Sequence, residues 1–252
     1  MCIEKVIAIS DWHIPYHDVD ATKKMLKLLE YEQPDELILV GNMNDCSMFS
    51  AHPKKKEVAL AFKTAREERE EWFKMATKLR KALPNAKIVY VGSDCHEGWI
   101  EMAASLNSVT IDDPQYEIQN WFKLADYDIE FEREFYDKNG FIFTHGVKAR
   151  SESGASARVE HTNWGTNGAS AHTHRLGAYY HTTRGIPNVW FEIGCMCRRK
   201  CWYKLKGNTS MMNWQQGFLS MTFENEVFSG QLIPILRNSK DEPLIFFNGK
   251  KY

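Results

Sequence analysis

The feature that most constrains the fold is a short apolar run, residues 6–9, followed at once by Ser10-Asp11-Trp12-His13. Four apolar residues, three of them β-branched, predict a buried strand. In open α/β sheets, ligands bind beyond the carboxyl ends of the strands. Asp11 and His13 would offer a metal ion one anionic oxygen and one neutral nitrogen. Because so short a pattern also arises by chance, its meaning depends on the rest of the chain.

Helical and strand patterns alternate through the first hundred residues. Apolar spacing predicts a helix over 21–33, which stops before Pro34, and a long charged helix over about 57–83. Apolar runs predict strands at 36–40 and 87–91, each followed by a glycine. Strand-helix-strand alternation of this kind favours a mostly parallel sheet covered by helices.

The second half of the chain is rich in predicted strands. Residues 151–170, with many Ser, Gly, Ala and Asn, predict only a weak helix and a loop. Strands are expected at residues 129–135, 140–144, 188–193 and 218–223. Residues 227–236 are a possible hairpin partner of the last of these strands. These elements predict a second sheet.

Composition favours one cytoplasmic domain. The 252 residues are 43% hydrophobic with a net charge of −1, which argues against a general polyanion-binding surface. Met1 runs almost directly into the first strand, and no apolar run is long enough to cross a membrane. We expect a single domain over 1–252, with its core at about 5–236 and a tail at 237–252.

Six cysteines are too few for a dense disulfide framework, so we expect thiols. Cys195, Cys197 and Cys201 lie close together in the sequence, but no second ligand pair follows at zinc-finger spacing. Buried or incidental thiols are therefore the favoured interpretation of this group.

Polar residues able to bind a metal follow five of the apolar runs. Imidazoles and carboxylates without dominant sulfur suit Mn, Fe or Zn, and several converging loops leave room for two ions. Two ions can hold the attacking and the leaving oxygen of a phosphoryl transfer. The residues are Asp11 and His13, Asn42 and Asp45, Asp94 to Glu97, His145, and His172 with His174.

The order of these motifs resembles that of the calcineurin-like metallophosphoesterases: D-x-H, G-D-x-x-D, G-N-H-E/D, a lone H, and G-H-x-H. The resemblance covers about residues 7–176, and residues 213–218 are similar to a tail of the subgroup common in phage genomes. It implies an α/β sandwich of two mixed β-sheets packed face to face and flanked by helices. It also assigns one metal to Asp11, His13 and His174, a second to His145 and His172, and the role of acid to His96, oriented by Asp45.

The chain departs from this pattern at several positions. Asn42 stands where the family has a bridging aspartate, and a neutral amide cannot supply two anionic oxygens. Cys95 stands at the ligand asparagine, Asp94 at the preceding glycine, and Ala171 at the glycine of G-H-x-H. Either Asp94 could replace the lost carboxylate or Cys95 could bind as a thiolate and favour zinc. The third alternative is a degenerate site.

Two functions follow from the resemblance. The first is a phosphoesterase that uses two divalent metal ions, which would be Mn, Fe or Zn. It would cleave a phosphomonoester or phosphodiester by attack of metal-bound hydroxide. The second is an inactive or weak relative that binds nucleic acid or a protein partner. Retention of Asp11, His13, Asp45, His96 and the three later motif histidines favours the enzyme, whereas the loss of the bridging carboxylate favours the binding module.

Overall fold

The computed structural model describes residues 3–50, 64–106, 110–199 and 212–252. They form two mixed β-sheets packed face to face with helices outside, which confirms the predicted α/β sandwich. The elements in chain order are β1 (Glu4–Ser10), α1 (Val19–Glu32), β2 (Glu36–Val40), α2 (Ala65–Ala82), β3 (Lys87–Val91), α3 (Gly98–Ser105), α4 (Ile118–Trp121), β4 (Ile129–Glu132), β5 (Phe135–Lys138), β6 (Phe141–Thr144), α5 (Ala155–Trp164), β7 (Asn167–Ser170), β8 (Leu176–Thr183), β9 (Ile186–Ile193), β10 (Gly217–Glu224), β11 (Val227–Pro234), β12 (Leu236–Arg237), β13 (Pro243–Leu244), β14 (Phe246–Phe247) and β15 (Lys250–Lys251).

The first sheet has the strand order β11-β10-β1-β2-β3-β4. Strands β1 to β4 are parallel, so their carboxyl ends meet at one edge, while β10 joins β1 antiparallel. Strands β2 and β3 have the predicted bounds. Every residue of β2 is buried, including Glu36 at its start, and the apolar run from Leu37 to Val40 is typical of a central parallel strand.

The helices that cover this sheet are capped by their own sequence. At α1 the Asp18 carboxylate accepts the Ala21 N–H, and the helix ends before a left-handed Gln33. At α2, Thr64 and Glu67 form a capping box. The single helix predicted over 57–83 is wrong at its start, because Thr64 has an extended backbone and α2 begins only at Ala65; residues 57–63 lie outside the described part of the chain.

The second sheet has the order β5-β6-β7-β9-β8 and is covered by α5. The single strand predicted over 129–135 is wrong, because the chain leaves the first sheet after β4 and enters the second at β5. The loop predicted after α5 is also wrong, because residues 167–170 form the central strand β7. Small residues are required there, since a side chain at Gly168 would overlap the Trp190 ring.

The larger core packs the first sheet against helices α1 and α2. A second core lies between the two sheets. It contains apolar side chains of β1 and β2 on one side and of β6 and β9 on the other, including Val6, Val40, Phe143 and Phe191. Residues 237–252 form short hairpins, from which Ile245 enters the core on the α1 side. Within the described ranges, no helix is both long and apolar enough to cross a membrane.

Candidate metal centre

The loops after β1, β2, β3, β6 and β7 converge at one end of the sandwich. Their order in the two sheets places these strand ends close together, as the sequence pattern predicts. The side chains that they bring together form three overlapping groups able to hold an ion. The groups are Asp11, His13 and His174; Cys95, His145 and His172; and His13, Asp45 and His96.

The first group has the spacing of a metal site, and we call it site A. Asp11 Oδ1 lies 3.5 Å from His13 Nε2 and 3.3 Å from His174 Nε2, and the two nitrogens are 3.2 Å apart. A tetrahedral ion with bonds of about 2.1 Å separates its ligands by about 3.4 Å. Asp11 is fully buried, and its Oδ1 makes no hydrogen bond to the described residues. The donor set therefore fits a divalent ion.

The second group, site B, contains a sulfur atom. Its three ligand atoms lie within 4.8 Å of one another, and Cys95 Sγ is 3.9 Å from His172 Nδ1. A tetrahedral zinc ion would separate sulfur and nitrogen by about 3.6 Å. His145 is buried, its Nδ1 faces the Val40 carbonyl at 3.3 Å, and its Nε2 has no hydrogen-bond partner in the described chain. Site B thus fits an ion as well.

The structure distinguishes Cys95 from Asp94, the two residues considered as replacement ligands. Asp94 is exposed and belongs to none of the ligand groups found among the described residues. Cys95 is half-buried and lies 3.4 Å, by its Sγ, from the Oδ1 of Asn42. Asn42 Oδ1 also accepts the Ser93 hydroxyl at 2.8 Å. The geometry therefore favours Cys95, beside the position of the lost carboxylate.

Glu97 holds the loops of the centre together. Its buried carboxylate accepts the N–H groups of Asn42 at 3.1 Å and Asn44 at 3.3 Å, together with the hydroxyls of Tyr90 and Ser93. Sequence reasoning placed Glu97 in a motif without giving it this role. Glu97 and Asn42 are 55 residues apart, so no local sequence pattern indicates that they are hydrogen-bonded.

Asp45 orients two histidines by different atoms. Its carboxylate accepts His13 Nδ1–H at 3.0 Å, whereas its main-chain carbonyl accepts His96 Nδ1–H at 2.6 Å. The His96 ring is 3.6 Å from the same carboxylate, so the predicted orientation of His96 by Asp45 relies mainly on the carbonyl. Because a carbonyl can only accept, neutral His96 carries its proton on Nδ1 and keeps a free lone pair on Nε2.

Charge interactions shift the pKa values of both metal-free sites. Burial opposes the imidazolium form of His13, but the nearby carboxylates of Asp11 and Asp45 raise its pKa to about 10. Burial and the neighbouring His13 lower the pKa of His96 to about 4. Burial disfavours the Cys95 thiolate, but His145 and His172 lower the pKa of Cys95 to about 4. At neutral pH Cys95 is therefore an anion and His96 is neutral.

The backbone of the centre is strained. Six of its residues have a left-handed backbone conformation, which non-glycine residues rarely adopt. Such conformations cluster at functional sites, where the surrounding structure maintains them. The residues are Asp11, His13, Asn42, His96, His172 and His174.

Gly41 is required by the close approach of His145. Its φ is +60°, and a Cβ at this position would lie 2.5 Å from His145 Nδ1. The glycine that ends β2 therefore allows the site B imidazole to reach the sheet edge.

Two cysteines lie directly behind site A. Cys195 and Cys197 are fully buried, and Cys197 Sγ is 3.6 Å from His174 Nδ1. Cys195 and Cys197 are buried free thiols, as predicted, but with His174 they also form a group whose ligand atoms lie within 4.8 Å of one another, so the alternative of a metal site stays open; Cys201 lies outside the described residues. Their proximity to His174 was not predicted, because the partners belong to different elements 23 residues apart.

The described residues define an α/β sandwich of two mixed sheets with clustered candidate metal ligands at one end. Its fold is similar to that of Vps29 from Chaetomium thermophilum, with a TM-score of 0.50 and 12% identity over 99% of this chain and 93% of that chain.

In sequence, the chain is 27% identical to the gene 54 protein of Mycobacterium phage L5 over 244 residues, covering 92% of this chain and 94% of the relative. It is 25% identical to the gene 54 protein of Mycobacterium phage D29, with the same coverage of both chains. No family model matches the sequence.

Proposed function

We propose that this protein is a metal-dependent phosphoesterase that hydrolyses a phosphomonoester or phosphodiester. The observation that carries the proposal is the pair of adjoining ligand groups, sites A and B, each with a buried ligand atom that makes no hydrogen bond to the described residues. A buried polar atom without a partner is costly, and an ion at each site would remove that cost.

The anionic charge of the centre supports two ions despite the neutral Asn42. The resemblance assigns negative charge to Asp11 and to a carboxylate at position 42. Here Asp11 and the Cys95 thiolate carry two negative charges instead, because the pKa values of both are low. The charge has moved by 3.4 Å, from the side chain of residue 42 to the sulfur beside it. The centre thus retains the charge that offsets repulsion between two cations.

The donor sets differ between the two sites. Site A offers one oxygen and two nitrogens, which suits Mn, Fe or Zn, whereas the thiolate of site B favours zinc. When bound, two such ions would polarise phosphate oxygens and generate hydroxide from water near neutral pH.

His96 is the residue assigned to the substrate. Asp45 fixes its Nδ1 by the main-chain carbonyl, so Nε2 is the atom available to the phosphate or the leaving oxygen. Nε2 is unprotonated at neutral pH in the free protein, since the pKa of His96 is about 4. The negative charge of a bound phosphate would favour protonation, after which Nε2–H can protonate the departing alkoxide.

The test combines metal analysis with hydrolysis of an aryl phosphodiester in the presence of Mn. We expect about two ions per chain in protein purified without chelator. Turnover should fall by about 100-fold or more in His96→Ala. His181→Ala, which removes an exposed histidine far along β8, serves as the matched control and should retain full activity.

The alternative function is a binding module without catalysis. The observation that favours it is the neutral side chain of Asn42. One ion or none, with no turnover in the wild type, would contradict the phosphoesterase. If Asn42→Asp then restored hydrolysis, the remaining catalytic residues would be competent and the natural protein would be a binder of nucleic acid or of a protein partner.

A further inference from the structure

The buried cysteine pair behind site A has no part in the function proposed above. Cys195 and Cys197 follow β9, and the segment is fixed to the loop of Asp11 because Met196 N–H donates to the carbonyls of Ser10 and Asp11. Both cysteines are fully buried. The pair is therefore part of the structure that supports site A.

The two sulfur atoms have different partners. Cys195 Sγ–H donates to the Gln215 carbonyl at 3.6 Å. Cys197 Sγ lies 3.6 Å from His174 Nδ1, a normal distance for an N–H group that donates to sulfur. His174 is buried, so the hydrogen on its Nδ1 needs an acceptor within the protein.

The other nitrogen of His174 determines where the ring hydrogen must lie. His174 Nε2 faces Asp11 Oδ1 at 3.3 Å and His13 Nε2 at 3.2 Å, so it is the ligand atom of site A. A ligand nitrogen must present a lone pair, which places the hydrogen of a neutral imidazole on Nδ1. Histidine ligands usually donate that hydrogen to a carboxylate, a carbonyl or water. Here the atom that faces Nδ1 is the Cys197 sulfur.

We propose that Cys197 is a positioning residue for site A. Its sulfur accepts the Nδ1–H of His174, fixes the tautomer and the angle of the ring, and so directs Nε2 at Asp11 and His13. This role rests on the proposed function only in so far as site A binds an ion. Cys195 has the same burial and interacts with Cys197, but its own thiol donates to the Gln215 carbonyl, which makes it the control variant.

The first experiment needs neither metal nor activity. In metal-free protein labelled with ¹⁵N-histidine, long-range ¹H–¹⁵N spectra report the tautomer of each imidazole, and His174→Gln identifies the signal. We expect the Nδ1–H tautomer for His174 in the wild type and in Cys195→Ala. In Cys197→Ala the signal should move to the Nε2–H form or to a mixture. The Nε2–H tautomer in the wild type, or an unchanged spectrum in Cys197→Ala, would overturn the proposal.

The second experiment is a titration with Co²⁺. An ion at site B should give a thiolate charge-transfer band in the near ultraviolet, whereas an ion at site A should give only visible d–d bands. Cys197→Ala should lower the Co²⁺ affinity of site A, the site without the charge-transfer band, by about 10- to 100-fold. The Co²⁺ affinity of site B should be unchanged. Cys195→Ala should match the wild type in both.

Two results of the titration would contradict the positioning role. Equal affinities in Cys197→Ala and the wild type would show that the sulfur does not support site A. A third Co²⁺ equivalent whose charge-transfer band is lost in Cys197→Ala would show that the cysteine pair itself binds the ion. If no Co²⁺ binds at all, the proposed function fails, and the tautomer experiment still decides the contact between Cys197 and His174.

Discussion

The displacement of negative charge from position 42 to Cys95 can be measured as a coupling between the two residues. In Asn42→Asp a new carboxylate would lie about as far from Cys95 Sγ as the present amide oxygen, which is 3.4 Å away. Two like charges at this distance repel by about 5 kcal/mol at an effective dielectric constant of about 20. Protonation of the thiol limits the penalty. Because the pKa of Cys95 is about 4, adding a proton at pH 7 costs about 4 kcal/mol.

The expected result is a coupling of about 2–4 kcal/mol in the metal-free protein, the lower value allowing for solvent screening of the half-buried sulfur. Asn42→Asp alone should be destabilised, and Cys95→Asn alone should lose the attraction of the thiolate to His145. The double variant removes the repulsion and should be more stable than the sum of the single changes predicts.

The assay is urea denaturation of the wild type, both single variants and the double variant at pH 7 with EDTA. Repeating it with saturating Zn²⁺ should reduce or reverse the coupling, because both anions then face a cation. Additive effects in EDTA, within about 0.5 kcal/mol, would refute the claim that Cys95 is an anion beside residue 42.

Three further predictions concern the same centre. Iodoacetamide at pH 6 should alkylate Cys95 in metal-free protein, because its pKa of about 4 makes it a thiolate, and Zn²⁺ should protect it; equal labelling by mass spectrometry with and without Zn²⁺ would argue against a sulfur ligand. Gly41→Ala should displace His145, so elemental analysis should find one ion fewer than in the wild type. Gly185→Ala is the control, because its φ is also positive, at +84°, but no atom lies near the new Cβ, and it should keep both ions. Equal metal content in the two variants would contradict the close approach of Gly41 and His145. Metal uptake at site A should displace a proton from His13, whose pKa is about 10, so affinity should rise with pH by up to about tenfold per unit below that value. Calorimetry in buffers of different ionisation enthalpy measures this proton release. A heat of metal binding that does not depend on the buffer would disprove it.

The buried parallel strands were the easiest part of the fold to predict. Strands β2 and β3 are continuous apolar runs bounded by charged residues and glycine, and their bounds are confirmed. Strand β7 was missed because it consists of Asn167 to Ser170, small residues required beneath Trp190 that have low strand propensity. The exposed strand β8 was missed because its sequence lacks a clear apolar alternation.

The site could be predicted as far as its residues follow strands. The motif spacing indicated which side chains meet, since parallel strands bring their following loops together. The pattern could not decide between Asp94 and Cys95, which are adjacent in sequence but differ in burial and direction. Nor could it find the contact of Cys197 with His174 or of Glu97 with Asn42, because these contacts arise only when distant loops fold together.

We propose a two-ion centre in which the Cys95 thiolate supplies the charge that Asn42 lacks. Its most direct test is anomalous diffraction at the zinc edge from crystals grown with Zn²⁺. We expect one ion among Asp11, His13 and His174, and a second among His145, His172 and Cys95, with a bond of about 2.3 Å to sulfur. A site B without zinc, or a second ion bound away from the Cys95 sulfur, would contradict it.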